Sequence, residues 1–245
     1  MPDTSPRTDL LGGRPLGDEW SIAFHISFTF EVPASLVEPV LPTGVEPMEP
    51  VPGRVLLNLI HARYVPGTLG EPDPFDEVVC SVLAQPDLSV DMPAPRLTLA
   101  VLDVLSNSEA FVAHKVPALR MPVRHDPTLA SEVDPDRLGT RVWNAEGPLF
   151  RLRCTGAPKF RYKEFFGQYF AATDGHLHHS VWSWWGTLHE TQRQRRQAGE
   201  VHPHPFFAGL GLGGLDARDC WLQQVSAPEG EVHMRTFQPR QLHPV

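Results

Sequence analysis

Prolines punctuate this chain so densely that no long helix can run through it: there are 26 among 245 residues, with 19 glycines beside them. Each proline lacks a backbone N–H and fixes φ, which breaks helix interiors but is tolerated at strand edges and turns. Short strands joined by turns accept that spacing, so the composition predicts a β-rich protein. Hydrophobic content of 41% and charged content of 20% are ordinary for a globular chain long enough to bury a sizeable core.

The pattern along the chain agrees. Residues 1–18 are polar and read as a tail or an arm across a neighbour, and residues 19–245 as a single domain. From Trp20 to Glu31 the sequence alternates, with Phe24, Ile26, Phe28 and Phe30 on one side and His25, Ser27, Thr29 and Glu31 on the other. That predicts a strand with one buried face. Residues 32–41 predict a short helix entered through Pro33. Val51 to Tyr64 predicts a strand covered on both faces, in which Asn58 must join a hydrogen-bond network or face a cavity. Strands follow at Val78–Leu83, with Glu77 at its mouth, and at Arg96–Leu105. Pro127 to Leu138 reads as a polar loop or short helix, and Thr140–Trp143 with Phe150–Thr155 as a hairpin. Lys159–Lys163 reads as a solvated strand face and Gln192–Arg196 as a charged surface turn. His176 to His189 predicts a strand with His176, His178, Ser180, Trp182 and Trp184 on one face. There is no βαβ rhythm, so the expected class is α+β, mostly β, with antiparallel strands curling toward a barrel.

Charge and cysteine usage narrow the function classes. A net charge of −8 argues against a nucleic-acid partner. No apolar run approaches the roughly 20 residues that span a bilayer, and the N-terminus lacks the apolar core of a signal peptide. Cys80, Cys154 and Cys220 are widely spaced and odd in number, which fits reduced thiols and a cytoplasmic location. Phe206 to Gly214 lacks the register of a dinucleotide fingerprint, and no Gly-x-Ser-x-Gly elbow occurs.

Leu105 to Val123 holds the residue that most invites chemistry. Lys115 sits among Phe111, Val112, Ala113, Val116, Leu119 and Met121, where an unpaired ammonium is costly to bury. Either it lies at a strand end with its head in water, or it is buried and loses its proton easily. A free amine attacks carbonyl carbon and forms a Schiff base.

Three stretches in order resemble the acetoacetate decarboxylase superfamily. They are Phe30-Glu31-Val32-Pro33-Ala34-Ser35-Leu36-Val37-Glu38-Pro39-Val40-Leu41-Pro42, then Phe75-Asp76-Glu77, then Glu109 followed six residues later by Lys115. The resemblance covers residues 22–123 and implies a cone-shaped antiparallel β-barrel with a few short helices, enclosing an apolar cavity. It implies that Lys115 forms the Schiff base and that Glu77 is the assisting carboxylate. Where the family has a second lysine, a strand glutamate and a carboxylate-binding arginine, this chain has Val116, Asn58 and, by offset, Ala23.

The expected activity is a lyase acting on a keto acid or related carbonyl compound, by decarboxylation or by aldol or dehydration chemistry. The expected substrate contacts are Asn58, His25, Glu109, Phe111 and Trp182. No cofactor, metal, nucleic acid or membrane is expected, and a homo-oligomer is. Trp182, Trp184 and Trp185 would fill core, a subunit contact or a cavity wall. Two alternatives stand beside this one: a small-molecule-binding or accessory protein on the same fold, and a metal enzyme using His176, His178, His189, His202 and His204.

Overall fold

The computed structural model describes residues 10–11, 14–89, 92, 95–134, 136–154, 160–192, 199–212, 215, 220–226 and 232–245. In chain order its strands are β1 (Leu10–Leu11), β2 (Arg14–Pro33), β3 (Arg54–Tyr64), β4 (Asp76–Leu83), β5 (Leu97–Ser106), β6 (Val123–His125), β7 (Ala130–Asp134) and β8 (Gly139–Asn144). They continue as β9 (Gly147–Arg153), β10 (Phe160–Thr173), β11 (His176–Gln192), β12 (Gly199–Val201), β13 (Cys220–Ser226), β14 (Val232–Phe237) and β15 (Arg240–Pro244). Three short helices interrupt them: α1 (Ala34–Val37), α2 (Glu109–Leu119) and α3 (Pro205–Ala208). No helix among the described residues is long and apolar enough to cross a membrane.

Seven strands close a barrel in the order β2, β13, β11, β10, β5, β4, β3 and back to β2. Most pairings are antiparallel as expected, but β5 and β10 run parallel, so the barrel is mixed. A parallel pair needs a long crossover, and here α2, β6 and the strands β7 to β9 form it. Strands β7, β8, β9 and β12 make a separate four-stranded sheet.

The alternation of β2 buries the apolar face as expected, and the other face as well. Phe24, Ile26, Phe28 and Phe30 point out of the barrel, where they join one apolar cluster with Val142, Phe150 and Leu152 of the second sheet and Phe206 and Phe207 of α3. The polar side, with Ser27 and Thr29, is buried as well, because it faces the barrel interior. Strand β3 divides in the same way: Val55, Leu57 and Leu59 face the second sheet, while Leu56, Ala62 and Tyr64 face inward. A wall buried on both sides explains why β3 reads as almost continuously apolar.

Several local expectations need correction. The helix expected over residues 32–41 is the single turn α1, followed by turns. Residues 14–18, placed in a tail, begin β2 and pair with β14 at Leu16–Phe237. Residues 130–134, read as loop or helix, form β7 on the edge of the second sheet. The hairpin of β8 and β9 forms as expected. Residues 193–196 and Lys159 lie outside the described residues. Cys80, Cys154 and Cys220 are buried and form no disulfide among the described residues.

Candidate active site

The segment around Lys115 is helical, not extended. Ser108, in extended conformation, caps α2 by accepting a hydrogen bond from the Phe111 N–H at 3.0 Å. Glu109 adds a favourable charge in the first turn, and Arg120 ends the helix with φ +55°. Pro117 sits in the last turn. The buried residues are Phe111, Lys115 and Leu119, spaced four apart, so one stripe of α2 faces the barrel and carries the lysine with it. Lys115 is only 2% exposed.

Inside the barrel, Lys115 Nζ donates to Glu77 Oε1, and neither side chain is exposed beyond a few per cent. Tyr64 Oη donates to the other oxygen, Glu77 Oε2, at 2.6 Å. The amine lies 4.3 Å from the centroid of the Phe111 ring and 5.7 Å from that of Trp20. Phe111 in turn packs on Trp20, Tyr64 and Phe75 with centroid separations of 5.1–5.4 Å. Aromatic rings therefore surround the pair on the side away from the cavity and exclude water from it.

Burial pushes the Lys115 amine below the ordinary lysine range, against the opposing pull of the Glu77 charge and hydrogen bond and of Asp18. Burial pushes the Tyr64 hydroxyl well above its usual value, and the Glu77 charge and hydrogen bond add to that. Tyr64 is thus a neutral donor at any physiological pH. It fixes one carboxylate oxygen and leaves the other aimed at the amine.

Above the pair lies a cavity of about 90 Å³, room for a small ligand, lined mostly by apolar side chains. Ile60, Val79, Leu99, Tyr169, Trp182 and Trp184 form much of its wall. Polar groups enter at few points. Asn58 accepts from Ser27 Oγ at 2.7 Å and Thr29 Oγ1 at 3.1 Å, so it joins a network and lines the cavity at once. His25 also lines the cavity, and burial, with a smaller contribution from His61, pushes its imidazole down to about 3. Its Nδ1 and the Trp184 indole Nε1 are buried and have no partner among the described residues.

Of the expected site residues, the structure brings together Lys115, Glu77, Asn58, His25 and Trp182 around one space. Phe111 does not line the cavity; it backs the lysine from behind. Glu109 is a correction: it is exposed in the first turn of α2, because a helix turns it away from the Lys115 face. Ala23 is exposed at a bulge in β2, and Val116 is half-buried outside the cavity lining. Tyr64, Trp20 and Trp184 belong to the site although the sequence reading did not place the first two there. For Tyr64 the signal existed, since it shares the parity of Asn58 on β3. The histidines do not assemble: His204 caps α3 and bonds Asn144 at 2.9 Å. Among the described residues no group of three potential metal ligands comes together.

No family model matches the chain. No curated protein sequence matches it either. Solved structures do. An acetoacetate decarboxylase aligns with a TM-score of 0.61 at 11% identity, covering 100% of this chain and 94% of that one. The enduracididine biosynthesis enzyme MppR complexed with pyruvate aligns at 0.58 and 12% identity, covering 99% and 95%. The acetoacetate decarboxylase of Legionella pneumophila aligns at 0.57 and 12% identity, covering 99% and 94%. The chain has the acetoacetate decarboxylase fold over its whole length.

Proposed function

We propose that this chain, built on the acetoacetate decarboxylase fold, is a lyase that forms a Schiff base between Lys115 and a small carbonyl compound. The observation that carries the reading is a dry lysine bonded to a carboxylate at the floor of an apolar cavity. The neighbours support carbonyl chemistry on this fold, one being a decarboxylase of a keto acid and another a complex with pyruvate.

The residues suit each step. Glu77 Oε1 takes the ammonium proton and frees the amine, a transfer favoured by burial because it replaces two charges with none. The amine attacks the carbonyl carbon, and the carbonyl oxygen takes the proton that the attacking nitrogen gives up, which yields a carbinolamine. Glu77 then returns its proton to the hydroxyl, which leaves as water, while the nitrogen lone pair forms the C=N bond. The resulting iminium accepts the electron pair of a carbon–carbon bond on the neighbouring carbon as that bond breaks, giving an enamine, while the other fragment leaves as carbon dioxide or, from a β-hydroxy compound that gives its hydroxyl proton to Glu77, as a carbonyl compound. Protonation at carbon and hydrolysis release product and regenerate the amine. Tyr64 keeps Glu77 oriented throughout and is a positioning residue.

Borohydride reduction in the presence of small ketones, followed by peptide mass spectrometry, tests this reading. An adduct on Lys115, absent in Lys115→Met, is the expected result. Absence of any adduct across keto acids, ketones and aldehydes refutes the lyase and leaves a ligand-binding container.

A further inference from the structure

We propose that the cavity selects an uncharged hydroxy-carbonyl compound and discriminates against carboxylate anions. The inference rests on the Schiff-base reading for where the carbonyl goes, but its own support is the remainder of the cavity wall.

Among the described residues lining the cavity, Lys115 is the only basic side chain besides His25. Lys115 is paired with Glu77 and must be a neutral amine to attack, so as the substrate binds it offers no counter-charge to a carboxylate. His25 stays neutral, since burial holds its imidazole far below physiological pH. Arg96 approaches this region through Glu190, which also accepts from the cavity residue Gln224, but its guanidinium is paired with Glu190 at 2.6 Å. A carboxylate bound here would be dehydrated beside Glu77 with nothing to neutralise it, which is among the costliest arrangements a protein interior can hold.

The unpaired polar atoms say what is welcome instead. His25 and Trp184 pack edge to face with ring centroids 4.9 Å apart, and both line the cavity. Trp184 Nε1 can only donate, and a neutral imidazole Nδ1 can accept. Both are buried and lack a partner among the described residues, a state that few buried polar groups tolerate. One ligand hydroxyl satisfies both, accepting from the indole and donating to the imidazole. The carbonyl at Lys115 and the hydroxyl at the His25–Trp184 pair define a short hydroxy-ketone or hydroxy-aldehyde, consistent with a cavity of about 90 Å³.

Three probes of similar size separate the possibilities: 4-hydroxy-2-butanone, butanone and acetoacetate. Each is measured with the purified protein in two ways, by initial rate of borohydride trapping and by equilibrium quenching of tryptophan fluorescence. The hydroxy-ketone is expected to exceed butanone by about 30-fold, two hydrogen bonds' worth, and acetoacetate by more than about 100-fold. Trp184→Phe, which removes one of the two bonds, is expected to cut the hydroxy-ketone's advantage over butanone, read as a ratio within the variant, to about fivefold. Acetoacetate equalling or exceeding the hydroxy-ketone in both measurements overturns the inference, while an adduct on Lys115 keeps the Schiff-base reading. No trapping with any probe, together with preferential binding of the hydroxy-ketone, refutes the lyase and supports the ligand class.

Discussion

Phe111 is the residue through which the dryness of the site can be varied without touching a reacting group. Its side chain is fully buried, covers the lysine amine and packs on three other aromatic rings. Phe111→Ala removes that packing and leaves a void beside Lys115, at a cost of about 3–5 kcal/mol. For a chain of this length each kcal/mol lowers Tm by about 2–4 °C. The same void admits water to the amine. Hydration of a buried ion is worth several kcal/mol, whereas the lost attraction between ring face and ammonium is worth about 2 kcal/mol. The first effect wins, so the acidity of Lys115 moves back toward that of an ordinary lysine. The assay is the pH dependence of borohydride trapping with butanone, beside urea denaturation for stability. The variant is expected to be less stable and to need a higher pH for half-maximal trapping, with recovery of rate at alkaline pH. Phe111→Leu, which keeps most of the volume, is expected to fall between the two. A variant that loses stability but traps with an unchanged pH midpoint would refute the claim that dehydration by this ring sets the amine's acidity.

Other outcomes follow from particular contacts. Glu77→Gln keeps the shape and removes the charge that raises the lysine value, so its trapping midpoint is expected at lower pH than wild type, with adduct formation slowed about 10²–10⁴-fold by loss of acid–base assistance. Asp76, bonded to His61 at 3.0 Å and to Ser131 at 2.8 Å, is pushed up by burial, but those bonds, the His61 charge and Arg63 outweigh this and hold its carboxyl below the usual range. Its folded value being the lower one, it stabilises the protein above the ordinary carboxylate pKa and ceases to as pH falls through the folded value; urea midpoints from pH 7 to 2 are expected to drop more steeply below about pH 4 in wild type than in a less stable Asp76→Asn. Gly167 faces Trp182 across β10 and β11, and a Cβ there would overlap the indole ring. Gly167→Ala is expected to cost about 1–3 kcal/mol in denaturant and to weaken fluorescence-detected ligand binding by displacing a cavity wall.

How much of this was legible in the sequence depends on what each residue's neighbours are. Proline density and the alternation in β2 announced a β architecture, and the apolar run of β3 announced burial on both faces. Which face of β2 meets ligand was not legible, because period-two patterning separates two sides without saying what lies beyond each. Phe24, Ile26, Phe28 and Phe30 are buried as expected, but on the outside of the barrel, since a second sheet covers them. The lysine was conspicuous by its surroundings, but its helix was hidden by Pro117 and the β-branched Val112 and Val116. The cap at Ser108 and the spacing of Phe111, Lys115 and Leu119 were the available signals. Glu109 was chosen on separation alone; six residues of helix make about one and two-thirds turns, which carries it to the solvent side. The pairing of Tyr64 with Glu77 depends on the register of β3 against β4, which no local pattern specifies.

The barrel is sewn shut by its first and last long strands, with β2 joined to β13 and β14 across some two hundred residues of sequence. During synthesis, therefore, β2 and β3 can pair while the opposite margin of β2 waits for strands not yet made. For that interval the growing chain carries a long bare margin flanked by phenylalanines, the kind of template on which other chains assemble. Late arrival of the closing strands makes the yield of correctly closed protein depend on how fast translation finishes relative to encounter with a second unfinished copy.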